Sequence, residues 1–387
     1  MTIREWLENA EDFVLSVIEE RRRDKWATAT RVALSGLSTL FSGIVQGRLT
    51  LYRHSFLRPH TLGCQVISIG NLTVGGTGKT PIVEVFARHL QKSGRRVAIL
   101  SRGYKRKEKP LLIRLKNKFT GGESAQPRVV SNGERLLLDS AQSGDEPYML
   151  ATNLPDVVVV VDKDRVKAGR HAVKKFGCDT LVLDDGFQYL RLRHRLDIVL
   201  VDFTNPFGNR RLLPRGILRE PVRNIRRAGF IFITKSPPEG APELKAQLRQ
   251  LNPIAEIAEC RHYPKYLQDA YTGERTPLDL LKGKNIAAVS GIASPKGFEQ
   301  SLINHGGILR YHKRYADHHR YRQQEIIDVI NRAAERSCEM IVTTEKDAVR
   351  FPMIERRDLP IYFLRVEIEM ISGEEKFHDW IDRICFK

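Results

Sequence analysis

Cysteine is scarce in this chain: 387 residues contain five, Cys64, Cys178, Cys260, Cys338 and Cys385, and no two have C-x-x-C spacing. An odd number without that spacing argues against a disulfide framework and predicts reduced, mostly buried thiols in a cytosolic protein. The N-terminus lacks the basic start of a secretory signal, opening instead with Glu5, Glu8, Glu11 and Asp12. Low-complexity tracts and internal repeats are lacking too, so a globular protein is expected, long enough for two domains or one large α/β domain with an extension. Acidic residues are outnumbered, leaving a formal net charge of +18. The resulting electropositive surface suits nucleic acid, an anionic membrane or a multiply phosphorylated substrate. A basic stripe interleaved with aromatics is missing, and so is any nucleic-acid module, so a nucleic-acid partner rests on charge alone and is not expected.

Long apolar runs are also wanting. The stretch from Val32 to Gly47 carries no charge, but it falls short of the ~20 residues that span a bilayer, and Ser35, Gly36, Ser38, Ser42 and Gly43 dilute it. Before it, Trp6, Leu7, Ala10, Phe13, Val14, Val17 and Ile18 recur at helical spacing, followed by Arg21-Arg22-Arg23. Residues 1–60 therefore read as a helical segment. It suits either a membrane interface, with Arg31, Arg48, Arg53 and Arg58 reaching lipid phosphates, or packing on its own domain.

What is present from residue 65 onward is alternation. Short β-rich runs, Val66–Ile69, Val97–Leu100, Val157–Val161, Leu181–Leu183, Ile198–Val201 and Phe230–Thr234, are separated in several places by helical stretches such as Ile82–Lys92 and Arg165–Phe176. Runs apolar throughout are expected of strands covered on both faces, so the pattern predicts a mostly parallel sheet with flanking helices. A polar, basic, Gly-rich segment from Lys105 to Leu138 reads as a loop or β-excursion. After the turn at Ser236-Pro237-Pro238-Glu239-Gly240 a second series follows, Ile286–Ser290, Ile308–Tyr311, Ile341–Thr343 and Ile361–Leu364. Residues 61–250 are read as the nucleotide domain, 251–279 as a linker, 280–370 as a smaller α/β domain and 371–387 as a C-terminal helix. The segments Ile254–His262 and Ile361–Ile368 are candidate strands joining the two.

One loop carries the chemistry. Ile67-Ser68-Ile69 leads through Gly70-Asn71-Leu72 into Thr73-Val74-Gly75-Gly76-Thr77-Gly78-Lys79-Thr80, with Pro81 at the start of a helix. Glycines let backbone N–H groups converge on phosphate oxygens, and the helix start adds a favourable dipole. In this strand–loop–helix setting the motif predicts a P-loop, with Lys79 on the β- and γ-phosphates and Thr80 on Mg²⁺. The usual glycine five residues before Gly78 is Thr73 here. Leu181-Val182-Leu183-Asp184-Asp185 offers two carboxylates at a strand's C-terminal end, where parallel sheets bind ligands and where Asp184 and Asp185 suit Mg²⁺. GTPase membership is weakened because Ile233-Thr234-Lys235-Ser236 is followed by Pro237 rather than the base-reading aspartate. The partition-type ATPases place a lysine where this chain has Val74.

The run Gly70 to Pro81 resembles the nucleotide loop of the tetraacyldisaccharide 4′-kinase family. Further signatures of that family recur in order: Leu100-Ser101-Arg102-Gly103-Tyr104, Gly144-Asp145-Glu146-Pro147, Asp184-Asp185-Gly186-Phe187-Gln188, Leu218-Arg219-Glu220-Pro221, Ser290-Gly291-Ile292, Asp317-His318 and Thr343-Thr344-Glu345-Lys346-Asp347-Ala348. The resemblance covers roughly residues 50–370. It implies a P-loop kinase-like α/β fold and ATP- and Mg²⁺-dependent phosphorylation of the 4′-hydroxyl of a tetraacyldisaccharide 1-phosphate in lipid A biosynthesis. It also implies a peripheral enzyme on the cytoplasmic face of the bacterial inner membrane, with an active site completed by the smaller domain. By the same resemblance Asp145 is the base, paired with His318, while Asn71, Arg102, Tyr104, Arg165 and Glu220 belong to the substrate or phosphate site. From the residues alone Asp145 reads rather as a helix cap, and His319 competes with His318. Two positions depart from the family: Tyr189 replaces a common histidine, and Arg215 replaces a small residue in Pro214-Arg215-Gly216. The alternative reading is a membrane-associated P-loop ATPase acting as a switch or assembly factor.

Overall fold

The computed structural model describes residues 13, 14, 16–18, 20–22, 24–103, 126–356 and 358–386. It is a mixed α/β protein with mostly parallel strand pairing, as expected from the alternation. The chain divides into two compact units, neither contiguous: Met1–Lys79 with Val182–Arg261 and Met370–Lys387, and Thr80–Leu181 with His262–Glu369. The unit boundaries at Arg261 and Glu369 fall inside the two long strands Glu256–Asp269 and Ile361–Ser372. The predicted Ile254–His262 and Ile361–Ile368 cover parts of those strands.

In the first unit, strand Gln65–Asn71 pairs in parallel with Leu196–Asp202, which pairs with Phe230–Thr234, which pairs with the start of Glu256–Asp269. The registers Asn71↔Leu200 and Asp202↔Thr234 bring the C-terminal ends of three strands to one edge. Phe230–Thr234 is buried at every position, which explains the apolar run from Phe230 to Ile233. Val199, Val201, Ile231, Ile233 and Ile257 form a core with Leu72, Phe187 and Leu218. Gly70 is required by a close approach: a Cβ there would lie 2.7 Å from Phe187 Cβ and 2.9 Å from Phe187 N. Only glycine lets the turn after Asp184-Asp185 pack on the strand that feeds the phosphate loop.

The first unit also holds the helix Lys25–Arg53, capped by Asp24, whose side chain accepts the Ala27 N–H at 2.8 Å. Among its residues only Ala27 and Ser38 are buried, and Ser38 Oγ donates to the Leu212 carbonyl at 2.9 Å. Trp26, Val32, Leu37, Leu40, Ile44 and Leu51 are exposed. Upstream, Arg215 is buried and donates to Glu20 Oε1 at 2.7 Å, while Asn209 Nδ2 donates to the Ile18 carbonyl at 3.1 Å. The Arg215 departure from the family is thus part of a clasp on the N-terminal segment. Among the described residues no helix is long and apolar enough to cross a membrane.

In the second unit Val97–Ser101 pairs in parallel with Val158–Val161, and Arg128–Asn132 runs antiparallel to the latter. Arg128–Asn132 lies within the predicted basic excursion, of which residues 105–125 fall outside the described ones. The later series pairs in parallel as Ile308–Arg314, Asn285–Ser290, Met340–Thr344 and Ile361–Ser372. Helix Gln323–Glu335 packs Ile326, Val329, Ile330 and Ala333 into its core, the i, i+3, i+4, i+7 face of an amphipathic helix.

A buried charge network crosses this unit. Arg365 donates to Glu84, on helix Lys79–Lys92, and to both oxygens of Glu345 at 2.8 Å. Asn153 Nδ2 donates to Glu345 at 2.6 Å. Burial pushes the Glu345 carboxyl above its ordinary value even against Arg365. Cys178, Cys260 and Cys338 are buried and Cys64 is half-buried, in line with mostly buried thiols, and burial pushes the Cys260 thiol up to about 12.

Candidate functional site

Asn71, the last residue of its strand, is a buried hub of the phosphate loop. Its Nδ2 donates to Thr77 Oγ1 at 3.0 Å and its Oδ1 accepts from Lys79 Nζ at 3.3 Å. Its carbonyl accepts from Gln188 Nε2 at 3.0 Å. Gly75 and Gly78 have φ of 114° and 76°, the left-handed region that excuses them from bearing a Cβ. Thr73, standing where a glycine is usual, is buried and bridges in antiparallel fashion to Leu218.

Two side chains missed by sequence reasoning hold the loop from behind. Thr234 Oγ1 donates to the Thr77 carbonyl at 3.0 Å, and Lys235 Nζ to the Gly76 carbonyl at 3.2 Å. Lys235 is itself fixed by Asp202 at 2.5 Å. Because a trans peptide sets C=O and N–H on opposite sides, drawing the Thr77 carbonyl to Thr234 turns the Gly78 N–H the other way. The signal was the Thr234-Lys235 pair at a strand end, which sequence comparison weighed only as a failed GTPase element.

Asp184 ends strand Thr180–Asp184 and is buried. Asp185 follows with φ 54°. Both Asp185 oxygens accept from Arg219 Nη1, at 2.8 and 2.7 Å, and Lys79 Nζ lies 3.5 Å from Oδ1. Arg219 is fixed in turn by its N–H to the Leu72 carbonyl at 2.7 Å. Thr80 is the second residue of helix Lys79–Lys92. Among the described residues no three His, Cys, Asp or Glu side chains gather as a metal cage.

The second unit contains the second cluster. Asp145 is the first residue of helix Asp145–Asn153, and the cap position belongs to Gly144, with φ 98° and no side-chain cap bond. The helix-cap reading of Asp145 is therefore corrected: its buried carboxylate faces cations instead. His318 Nδ1 lies 3.1 Å from Oδ2, and Arg320 Nη2 donates to Oδ1 at 3.1 Å. Arg350 Nε sits 2.9 Å from Oδ2, off the hydrogen-bond direction, as an ion pair. Burial pushes the Asp145 carboxyl up, but the His318 hydrogen bond and the Arg350 and Arg320 charges outweigh it, so it stays below the ordinary aspartate value.

His318 has φ 64°, and its N–H is held by the Gly291 carbonyl at 3.1 Å. Its Nε2 lies 3.2 Å from Lys346 Nζ. His319 turns elsewhere, to Glu325 at 3.0 Å and a stack on Tyr315, so geometry separates the two histidines. Arg350 is fully buried and also pairs with Asp347 at 3.1 Å, which Tyr321 and the Gly291 N–H reach at 2.8 and 3.0 Å. The motifs Ser290-Gly291-Ile292 and Thr343 to Ala348 thus support the ground under His318. Sequence reasoning noted both without giving them a role, and it passed over Arg320 and Arg350.

The other expected site residues are scattered in character. Arg102 is exposed just past strand Val97–Ser101, and Tyr104 lies outside the described residues. Arg165 is buried at the start of helix Arg165–Phe176. Glu220 is buried and taken up within the chain by Arg227 at 2.9 and 2.8 Å and Asn224 at 2.8 Å. Tyr189 closes the turn through its N–H to the Gly186 carbonyl at 2.7 Å.

Residues 30–385 match the family described as tetraacyldisaccharide-1-P 4′-kinase, LpxK. A tetraacyldisaccharide 4′-kinase of Anaeromyxobacter dehalogenans is 40% identical over 333 residues, 85% of this chain and 84% of that one. One from Halothermothrix orenii is 33% identical over 377 residues, covering 93% and 94%. Among solved structures, LpxK from Aquifex aeolicus in complex with ATP superposes with a TM-score of 0.71 at 30% identity, over 92% of this chain and 100% of that one.

Proposed function

The chain belongs to the tetraacyldisaccharide 4′-kinase family and is an ATP-dependent lipid A 4′-kinase; on that premise we propose how its own residues divide the reaction. Residues Thr73 to Thr80 bind the ATP phosphates, with Lys79 moving from Asn71 and Asp185 onto the β- and γ-phosphate oxygens. Thr80, Asp184 and Asp185 would hold Mg²⁺, through a hydroxyl and carboxylate oxygens. Small, hard and few, these donors fit Mg²⁺ better than a softer metal. When bound, the ion would neutralise charge on the β- and γ-phosphates.

Asp145 accepts the proton of the sugar 4′-hydroxyl, and His318 orients it. The observation that carries this reading is the buried Asp145 carboxylate, kept ionised by His318, Arg350 and Arg320. Phosphoryl transfer asks of a protein mainly position and charge, and a carboxylate fixed on three sides supplies the first. Arg102, exposed beside a strand end, suits an anionic group of the substrate, as does Tyr104 by its motif. Asn71 presets Lys79. Arg165 and Glu220 act from buried positions, Glu220 by holding Arg227 next to the Arg219 segment.

The acceptor is an acylated disaccharide 1-phosphate, a lipid A precursor. The exposed Trp26, Leu37, Leu40 and Ile44 with Arg48, Arg53 and Arg58 suit an anionic surface, here the cytoplasmic face of the inner membrane. The test is purified protein with ATP, Mg²⁺ and a detergent-dispersed tetraacyldisaccharide 1-phosphate, in which a bisphosphorylated product is expected. Asp145→Ala should abolish it without loss of ATP binding. Flotation on vesicles containing anionic lipid should fall for the Leu37→Glu, Leu40→Glu, Ile44→Glu variant, and equal flotation would remove the membrane role.

A further inference from the structure

Lys346 occupies a position with a chemical consequence. Its Nζ lies 3.2 Å from His318 Nε2, within hydrogen-bond range, whereas the carboxylates of Glu146 and Asp317 stand at 3.9 Å. An ammonium has donors only. A lysine that donates to Nε2 requires a bare lone pair there, so the ring's one proton must sit on Nδ1. Nδ1 is the atom 3.1 Å from Asp145 Oδ2, and it therefore donates to the carboxylate.

We propose that Lys346 is a positioning residue of the phosphoryl transfer, locking His318 in its neutral Nδ1–H tautomer so that the imidazole orients Asp145 and takes no proton from it. This rests on the reading that Asp145 and His318 serve the acceptor hydroxyl. Asp145, Lys346 and Asp317 face His318, with Asp317 Oδ2 at 3.8 Å from Nε2; Glu146 stands by Lys346, and Arg320 and Arg350 by Asp145. Asp317 favours a proton on Nε2, but it lies beyond hydrogen-bond range and Lys346 does not. The backbone fixes where the side chain starts: His318 is held in the left-handed region and its N–H is tied to the Gly291 carbonyl, while the contacts to Asp145 and Lys346 set the ring's orientation. In this scheme a proton leaving the sugar hydroxyl stops on Asp145 or passes to water, since Nδ1 is already protonated.

The test is ¹⁵N-histidine spectroscopy of the full chain, with the His318 signal identified by its loss in His318→Asn. Wild type should show Nδ1 protonated and Nε2 bare. Lys346→Met should lose that tautomer, and kcat should fall about 10- to 100-fold, the range for outer partners that fix a histidine tautomer at metal sites, with KM for ATP unchanged within about twofold. Lys346→Arg, which restores a donor, should recover much of both. An Nε2–H or doubly protonated ring in wild type, or an unaltered tautomer in folded Lys346→Met, overturns the inference. If Asp145→Asn and His318→Asn keep wild-type kcat, it is the underlying reading that fails, whatever the spectrum shows.

Discussion

Arg219 holds both oxygens of Asp185 through a single guanidinium nitrogen, at 2.8 and 2.7 Å, while Lys79 stands 3.5 Å from the same carboxylate. Two cations thus share one anion, and one of them is the lysine a nucleotide needs. Removing Arg219 leaves Lys79 as the principal counter-charge of Asp185. Arg219→Met should therefore weaken ATP about tenfold, equivalent to ~1.4 kcal/mol, measured by ATP titration. Unchanged affinity would mean the two cations do not compete.

Asp145 makes a pH prediction. Its folded-state pKa lies below the ordinary 3.8, so the ionised form is favoured above that value and lost only as pH falls through the lowered one. The acid limb of kcat/KM owed to Asp145 should lie below about pH 4. Asp145→Asn should cost about 10²- to 10⁴-fold in kcat at every pH from 5 to 8, the usual worth of a general base. A limb above about pH 5 that survives His318→Asn would contradict the ionised Asp145.

Thr234→Val removes the buried donor to the Thr77 carbonyl. A buried acceptor left without its partner costs about 1–3 kcal/mol, and the loss should appear in both the unfolding midpoint and ATP affinity. Thr234→Ser, keeping the hydroxyl, should restore most of it.

Arg365→Met removes the cation that both oxygens of Glu345 accept from, in a buried setting, and leaves Glu84 to Arg88. Breaking such a network from one side costs about 3–5 kcal/mol. Glu345 already sits above its ordinary value and would rise further, so its neutral form would dominate at lower pH. The denaturant-measured deficit should accordingly be larger at pH 8 than at pH 5. A deficit that grows on acidification would reverse the assigned cause.

Strands buried on both faces were legible because nothing but packing constrains them: Phe230–Thr234 and helix Arg165–Phe176 were read with the bounds they have. The phosphate loop was legible because glycine at 75 and 78 answers a backbone demand. Asp145 was misread as a cap because local sequence cannot reveal partners at Arg320 and Arg350, some two hundred positions away. Thr234 and Lys235 were passed over for a related reason. Their task is to hold carbonyls in another segment, and no spacing rule encodes such a contact. Arg215, conspicuous only as a departure from the family, turned out to be half of a clasp with Glu20.

That clasp and the Ser38–Leu212 hydrogen bond bear on how the enzyme would meet its substrate. A greasy segment on a slack tether would let the body behind it tumble. Pinned at Ser38 and preceded by the segment clasped at Glu20, the Lys25–Arg53 helix would act as a keel for the unit that bears the phosphate loop. Were its apolar side to bed into lipid as proposed, that unit would keep one height and one tilt, and the search for an acceptor would become a glide in two dimensions.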